Sequence, residues 1–177
     1  MSLYWIAQSI GIVAFFIGIT TFLHRNERNF RVQLAVYSSI IGIHFFLLGA
    51  NSAGISAIMN TSRTIVSIYT RNTIVMYVFI VVVMGLGLYN LKQPVEILPI
   101  IGTTISTWAL FKTQGLKTRY IFWCATFCWA IHNIWIGSIG GSLIECSFLL
   151  MNGSQILRFR RMIAQGQDPF ATVVKTP

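Results

Sequence analysis

From Leu3 to Leu157 the chain is a succession of apolar runs separated by short polar corners, each run about as long as a bilayer is thick. A helix needs about 20 mostly apolar residues to cross the hydrocarbon, with a range of about 17–25. Seven segments meet that length, some narrowly. The first runs from Leu3 to Leu23 and the second from Val32 to Gly49. The third leaves the Asn51-Ser52-Ala53-Gly54 corner and ends near Tyr69, and the fourth is Thr73 to Tyr89. The fifth follows Lys92-Gln93-Pro94 and ends at Phe111, and the sixth is Tyr120 to Ile136. The seventh leaves the Gly140-Gly141 corner and ends at Leu157.

Composition agrees. Charged residues make up 10% of the chain and the mean hydropathy is +0.69. A soluble domain is about a quarter charged, so this chain cannot cover a wet surface. An integral membrane protein is the class that fits. The net charge of +9 would otherwise suggest nucleic acid, but the basic residues sit in short loops between apolar runs and read as topology signals. With the N-terminus outside, Arg25, Arg28, Arg31, Arg71, Lys112, Lys117, Arg119, Arg158, Arg160, Arg161 and Lys175 all face the cytoplasm. Lys92 is then outside and Arg63 within a span, so 11 of the 13 basic residues lie on one side, as an odd number of spans requires. The N-terminus Met1-Ser2-Leu3-Tyr4-Trp5 lacks the basic start of a cleavable signal, so the first run is read as a retained span.

The runs repeat. Ile43-His44 recurs as Ile131-His132, Gly49 as Gly137 and Arg31 as Arg119, all at an offset of 88 residues. Met59-Asn60-Thr61-Ser62 recurs as Met151-Asn152-Gly153-Ser154, which needs four extra residues in the second copy. Three spans joined directly to three would be inverted copies, and an extra span between them makes the copies parallel. The expected fold is therefore all-α: two parallel three-helix repeats joined by a linker helix, with the N-terminus outside and the C-terminus cytoplasmic. Residues 1–157 form a single transmembrane domain, with repeats at 3–71 and 95–157, a linker helix at 73–91 and a cytoplasmic tail at 158–177. The fourth span carries almost no polar group and is read as facing lipid.

Several stretches resemble the YgjV-type family of bacterial inner-membrane proteins. They are Tyr4-Trp5-Ile6-Ala7-Gln8, Gly18-Ile19-Thr20-Thr21-Phe22, Ile43-His44-Phe45-Phe46 and Val95-Glu96-Ile97-Leu98-Pro99, with Ser106-Thr107-Trp108-Ala109-Leu110, Ile131-His132-Asn133 and Gly137 to Asn152. The resemblance covers nearly the whole chain. It implies a multi-pass location in the bacterial inner membrane and no particular substrate. More distantly, the three-one-three plan resembles the SWEET and PQ-loop transporters and the KDEL-type cargo receptors. In the sugar transporters of that group an Asn on the third span and one on the seventh line the pocket, positions that Asn60 and Asn152 match here. The Pro-Gln dipeptide of the hinge spans is missing, which puts sugar as the substrate and paired proline hinges in doubt.

Polar residues inside the spans are the candidates for function. Ser56, Asn60, Arg63 and Ser67 share one face of the third span. Arg63 should face protein or water, because an Arg at that depth costs about 2.5–3.5 kcal/mol on insertion scales. Glu145 shares a face with Asn152 on the seventh span and is expected to pair with Arg63. The alternatives are snorkelling for Arg63 and a hydrated vestibule for Glu145. His44 and His132, five residues before their glycines, are expected to line the outer mouth, with Trp129 and Asn133 beside His132. Glu96, Thr103 and Thr107 share a face of the fifth span, and Gln8 is the repeat equivalent of Glu96. Pro99 is expected to kink that span at a gate. Cys124, Cys128 and Cys146 are expected to be packing residues, and no ligand spacing suggests a metal. No nucleophile or phosphate-loop motif points to an enzyme, and no cofactor is implied. The expected function is a SWEET-like small-solute transporter, a facilitator or proton-coupled carrier, for a small polar or anionic solute within the lipid bilayer. The alternatives are a membrane receptor or an accessory subunit without transport. Relatives of this plan often oligomerise, so a homo-oligomer is compatible, and nucleic acid is not an expected partner.

Overall fold

A computed structural model describes residues 3–21, 27–113, 115–167 and 169. These form seven α-helices: α1 (Leu3–Thr21), α2 (Glu27–Leu47), α3 (Asn51–Tyr69), α4 (Thr73–Tyr89), α5 (Ile97–Lys112), α6 (Gly115–Trp135) and α7 (Ile139–Ala164), with one 3-10 turn at Pro94–Glu96. Apolar runs of this length form helices because a helix satisfies its own backbone groups where no water can. The fourth helix falls where its apolar run places it, and the third ends where expected, but Asn51-Ser52-Ala53-Gly54 and Gly140-Gly141 are not corners: they form the first turns of α3 and α7. By contrast α2 and α6 begin about a turn before their apolar segments, and α7 continues past Leu157. Arg158, Arg160 and Arg161 therefore ride on a helix rather than in an irregular tail. The basic-loop residues His24 and Arg25, and Lys175 of the tail, lie outside the described residues.

Two corners are built alike. After α2, Gly49 takes φ +75°, and after α6, Gly137 takes φ +66°. The Ala50 N–H donates to the Phe45 carbonyl at 3.0 Å and the Ser138 N–H to the Asn133 carbonyl at 2.9 Å, while Gly49 and Gly137 donate to Phe46 and Ile134. This is a left-handed glycine cap, and each next helix starts two residues later.

The packing order closes a ring. α1 packs on α2 and α7, α2 on α3, α3 on α5, α5 on α6 and α6 on α7, while α4 lies across α3 and α5. Of α4 only Met76, Val83 and Gly87 are buried. At the α1–α7 crossing the backbones touch: a Cβ on Gly140 would stand 2.1 Å from the Gly11 carbonyl carbon and oxygen. At the centre Phe45 stacks on Trp129 with ring centroids 5.6 Å apart.

The polarity is inverted relative to a water-soluble bundle. Gln8, His44, Arg63, Glu96, His132 and Glu145 are buried, while Phe16, Tyr77, Val81, Ile134 and Leu150 stand exposed. Cys124 and Cys146 also lie on the outside rather than in the core. Leu3–Thr20 and Pro94–Lys112 are long and apolar enough to cross a membrane, and Arg31–Leu47 and Thr73–Tyr89 are shorter apolar helices. Among the described residues α3, α6 and α7 do not reach that composition: they turn Ser52, Ser56, Arg63, His132, Asn133 and Glu145 inward, and α6 and α7 also carry the exposed Lys117 and Ser154.

Candidate solute-binding site

The polar interior is organised along the seam between α3 and α5. Ser52 on α3 donates to the Glu96 carboxylate at 3.0 Å, and Arg63 on α3 donates through Nη1 to Thr107 Oγ1 at 3.2 Å. Both pairs are 44 residues apart in sequence, so the two helices run side by side in the same direction and in constant register. Between these ties the faces that carry Arg63 on α3 and Thr107 on α5 hold Ser56 Oγ, Asn60 Oδ1 and Thr103 Oγ1, all buried and without a hydrogen-bond partner in the protein; Thr104 Oγ1, on the next residue around α5, is likewise unpartnered. Arg63 Nε is in the same condition. Native interiors satisfy such groups, so these side chains are the ones in the interior left to bond water or a solute.

The two histidines differ. His44 Nδ1 lies 2.7 Å from the Ala7 carbonyl and Nε2 lies 2.7 Å from Ser138 Oγ. A carbonyl only accepts, so Nδ1 carries the proton and Nε2 accepts from Ser138, which in turn accepts from the Gly141 N–H at 3.1 Å. His44 therefore pins α1 and the α6–α7 corner to α2 and does not stand open at a mouth. His132 is equally buried, but its ring nitrogens make no well-formed hydrogen bond to another helix, and the polar side chains beside it are Asn133 on its own helix and Glu96. The residue 88 positions before Ser138 is Ala50, which has no hydroxyl to offer His132. His132 meets Phe45 and Trp129 edge-on, at 5.9 and 6.3 Å.

Other expected placements change. Arg63 and Glu145 are not paired: the Glu145 carboxylate accepts from the Tyr37 hydroxyl of α2 at 3.5 Å, while Arg63 is held by α5. Asn60 and Asn152 do not share a level. α3 and α7 begin at the repeat offset, but Asn60 lies nine residues and Asn152 thirteen residues past the helix start, a difference of about 6 Å in depth. Asn152 donates to the Arg119 carbonyl of α6 at 3.2 Å and leaves only its carbonyl oxygen unpartnered. Pro99 does not kink a helix interior. It is the third residue of α5, in the first turn, where a missing N–H breaks no bond within the helix. The irregularity lies just before it, in the 3-10 turn Pro94–Glu96.

Two side chains acquire roles that their spacing only hinted at. Gln8 on α1 donates to the Gly137 carbonyl at 2.7 Å and accepts from the Ile139 N–H at 3.1 Å. Its repeat equivalent Glu96 accepts from Ser52 and from the Lys92 N–H at 3.1 Å. Each ties the helix it leads to the entry of a helix from the other half of the chain. The signal was the 88-residue spacing of Gln8 and Glu96 combined with their burial, and only the first is visible in a sequence. Among the described residues no three His, Cys, Asp or Glu side chains come together as a metal site would require.

The sequence model of the Imp-YgjV family, described as a bacterial inner membrane protein, matches residues 5–163. The chain is 57% identical over 177 residues to the inner membrane protein YgjV of Escherichia coli (strain K12), covering 100% of this chain and 96% of that one. No solved structure matches.

Proposed function

The chain belongs to the Imp-YgjV family of bacterial inner membrane proteins, and from that premise we propose that it is a small-solute transporter rather than an enzyme. It is a multi-pass protein of the bacterial inner membrane. The observation that carries the transport reading is the polar seam: unsatisfied buried groups on α3, α5 and α6 inside a ring whose exterior is apolar. Polar residues within a membrane domain that face the bundle interior mark solute or ion paths. All seven helices cross the bilayer in this reading. α3, α6 and α7 do so despite their composition, because their polar faces are turned away from lipid.

The architecture proposed is two parallel three-helix units, α1–α3 and α5–α7, with α4 as the linker and the N-terminus outside, similar in plan to the SWEET transporters. The matched glycine corners at Gly49 and Gly137 support it, as do the equivalent cross-unit ties of Gln8 and Glu96. In this reading the ties close the outer end, and alternating access requires one unit to rock against the other. A receptor reading has one observation in its favour: the Phe45–Trp129 stack fills the centre between α2 and α6. Flux into proteoliposomes separates the two. Accumulation of a solute inside vesicles carrying the purified protein, above empty vesicles, is the expected result. Binding of that solute without flux would leave the receptor.

A further inference from the structure

Arg63 is 6% exposed, and among the described residues its guanidinium is held by one hydrogen bond, to Thr107 Oγ1. Nε has no partner. The carboxylates described in the interior are committed elsewhere. Glu145 takes the Tyr37 hydroxyl, and Glu96 takes Ser52 and the Lys92 N–H. Ser52 marks the level of Glu96 on α3 and lies eleven residues from Arg63, about 16 Å of helical rise. A cation so enclosed and without a counter-charge is costly unless something anionic completes it. What surrounds it is built for the rest of a small molecule. Asn60, Thr103 and Ser56 carry unsatisfied buried oxygens over about 10 Å of seam outward from Arg63.

We propose that Arg63 anchors a site for a small organic monoanion, a carboxylate bearing a short hydroxyl-substituted chain. The inference rests on the reading of this interior as a solute site. The flat fork of guanidinium donors matches the two oxygens of a carboxylate. Asn60, one turn of α3 from Arg63, and Thr103, one turn of α5 from Thr107, then meet the solute's own hydroxyl. One guanidinium balances one charge. A dianion would leave a charge unmatched, and a neutral polyol would leave the guanidinium as it is.

The test is equilibrium binding to the purified full-length chain in detergent, read by calorimetry and by the shift in unfolding temperature. The probes are sodium lactate, glycolate and propionate, with chloride, inorganic phosphate, glucose and lactamide as comparisons. Saturable binding of lactate, at least tenfold tighter than lactamide or glucose, is expected, with propionate weaker than lactate for want of the hydroxyl. Arg63→Gln should weaken lactate at least tenfold and Arg63→Lys less, while Arg158→Gln on the exposed end of α7 should leave it unchanged. Equal binding of lactate and lactamide overturns the proposal without recourse to any variant, which covers the case in which Arg63→Gln does not fold. Lactate binding indifferent to Arg63→Gln, chloride binding as tight as lactate, or no binding of any monocarboxylate also overturns it. Lactate binding without flux would remove the transport reading and keep the site. Flux of a neutral solute without carboxylate binding would do the reverse.

Discussion

At the scale of single residues, what decides a role is whether a buried polar group finds a partner. His44 and His132 are indistinguishable by residue type, spacing and neighbouring glycine, yet one is fully bonded and the other is not. His44→Phe should cost about 1–3 kcal/mol, because it strands the Ala7 carbonyl and the Ser138 hydroxyl. His132→Phe should cost less than His44→Phe, because the ring it removes ties no other helix. Thermal unfolding of the two variants in detergent measures the difference, and equal losses would contradict it. The same criterion separates Asn152, tied to the Arg119 carbonyl, from Asn60. Arg63 was legible as an intramembrane charge that must face inward. Its solitude was not, because the partner expected for it, Glu145, is held by a tyrosine from another helix.

At the scale of elements, small residues decide how near helices approach. The Gly140 position meets the Gly11 backbone, so Gly140→Ala must push α7 off α1. A loss of about 1–3 kcal/mol or more is expected, seen as a lower unfolding temperature or failure to accumulate in membranes. Gly153→Ala, where the nearest atom is 3.4 Å away in the Trp123 side chain, should be tolerated and serves as the control. Gly49 and Gly137 act differently, by adopting positive φ. Substituting Ala at either should cost about 1 kcal/mol through backbone strain alone, since nothing lies within 4 Å of the added Cβ. Pro99 shows the limit of reading an element from one residue. A proline inside an apolar run suggests a kink, but the helix begins only two residues earlier, so the proline starts it instead.

For the whole molecule, basic loops and helix number together set orientation in the bilayer. A C-terminal fluorescent-protein fusion should be bright and a C-terminal alkaline phosphatase fusion inactive, and the reverse would overturn the N-outside reading. The helix count, the all-helical class and most helix ends followed from the length of the apolar runs. Pairings between helices did not. The ties of Gln8 to the α6–α7 corner and of Glu96 to Ser52 join residues 129–131 and 44 positions apart. No local pattern encodes such a separation.

The sequence by itself determined the environment and the helices, and placed Gly49 and Gly137 at helix ends, because each depends on runs and residues whose effect is local: apolar length, loop charge, a glycine that ends a helix. Only the tertiary structure decided which buried polar groups are satisfied. That depends on the rotation of each helix about its axis and on which helix lies opposite, and both are set by side-chain packing around the closed ring. Arg63 and Glu145 are the measure of this. As letters they are a cation and an anion within about two helical turns in depth, and as placed they face different helices.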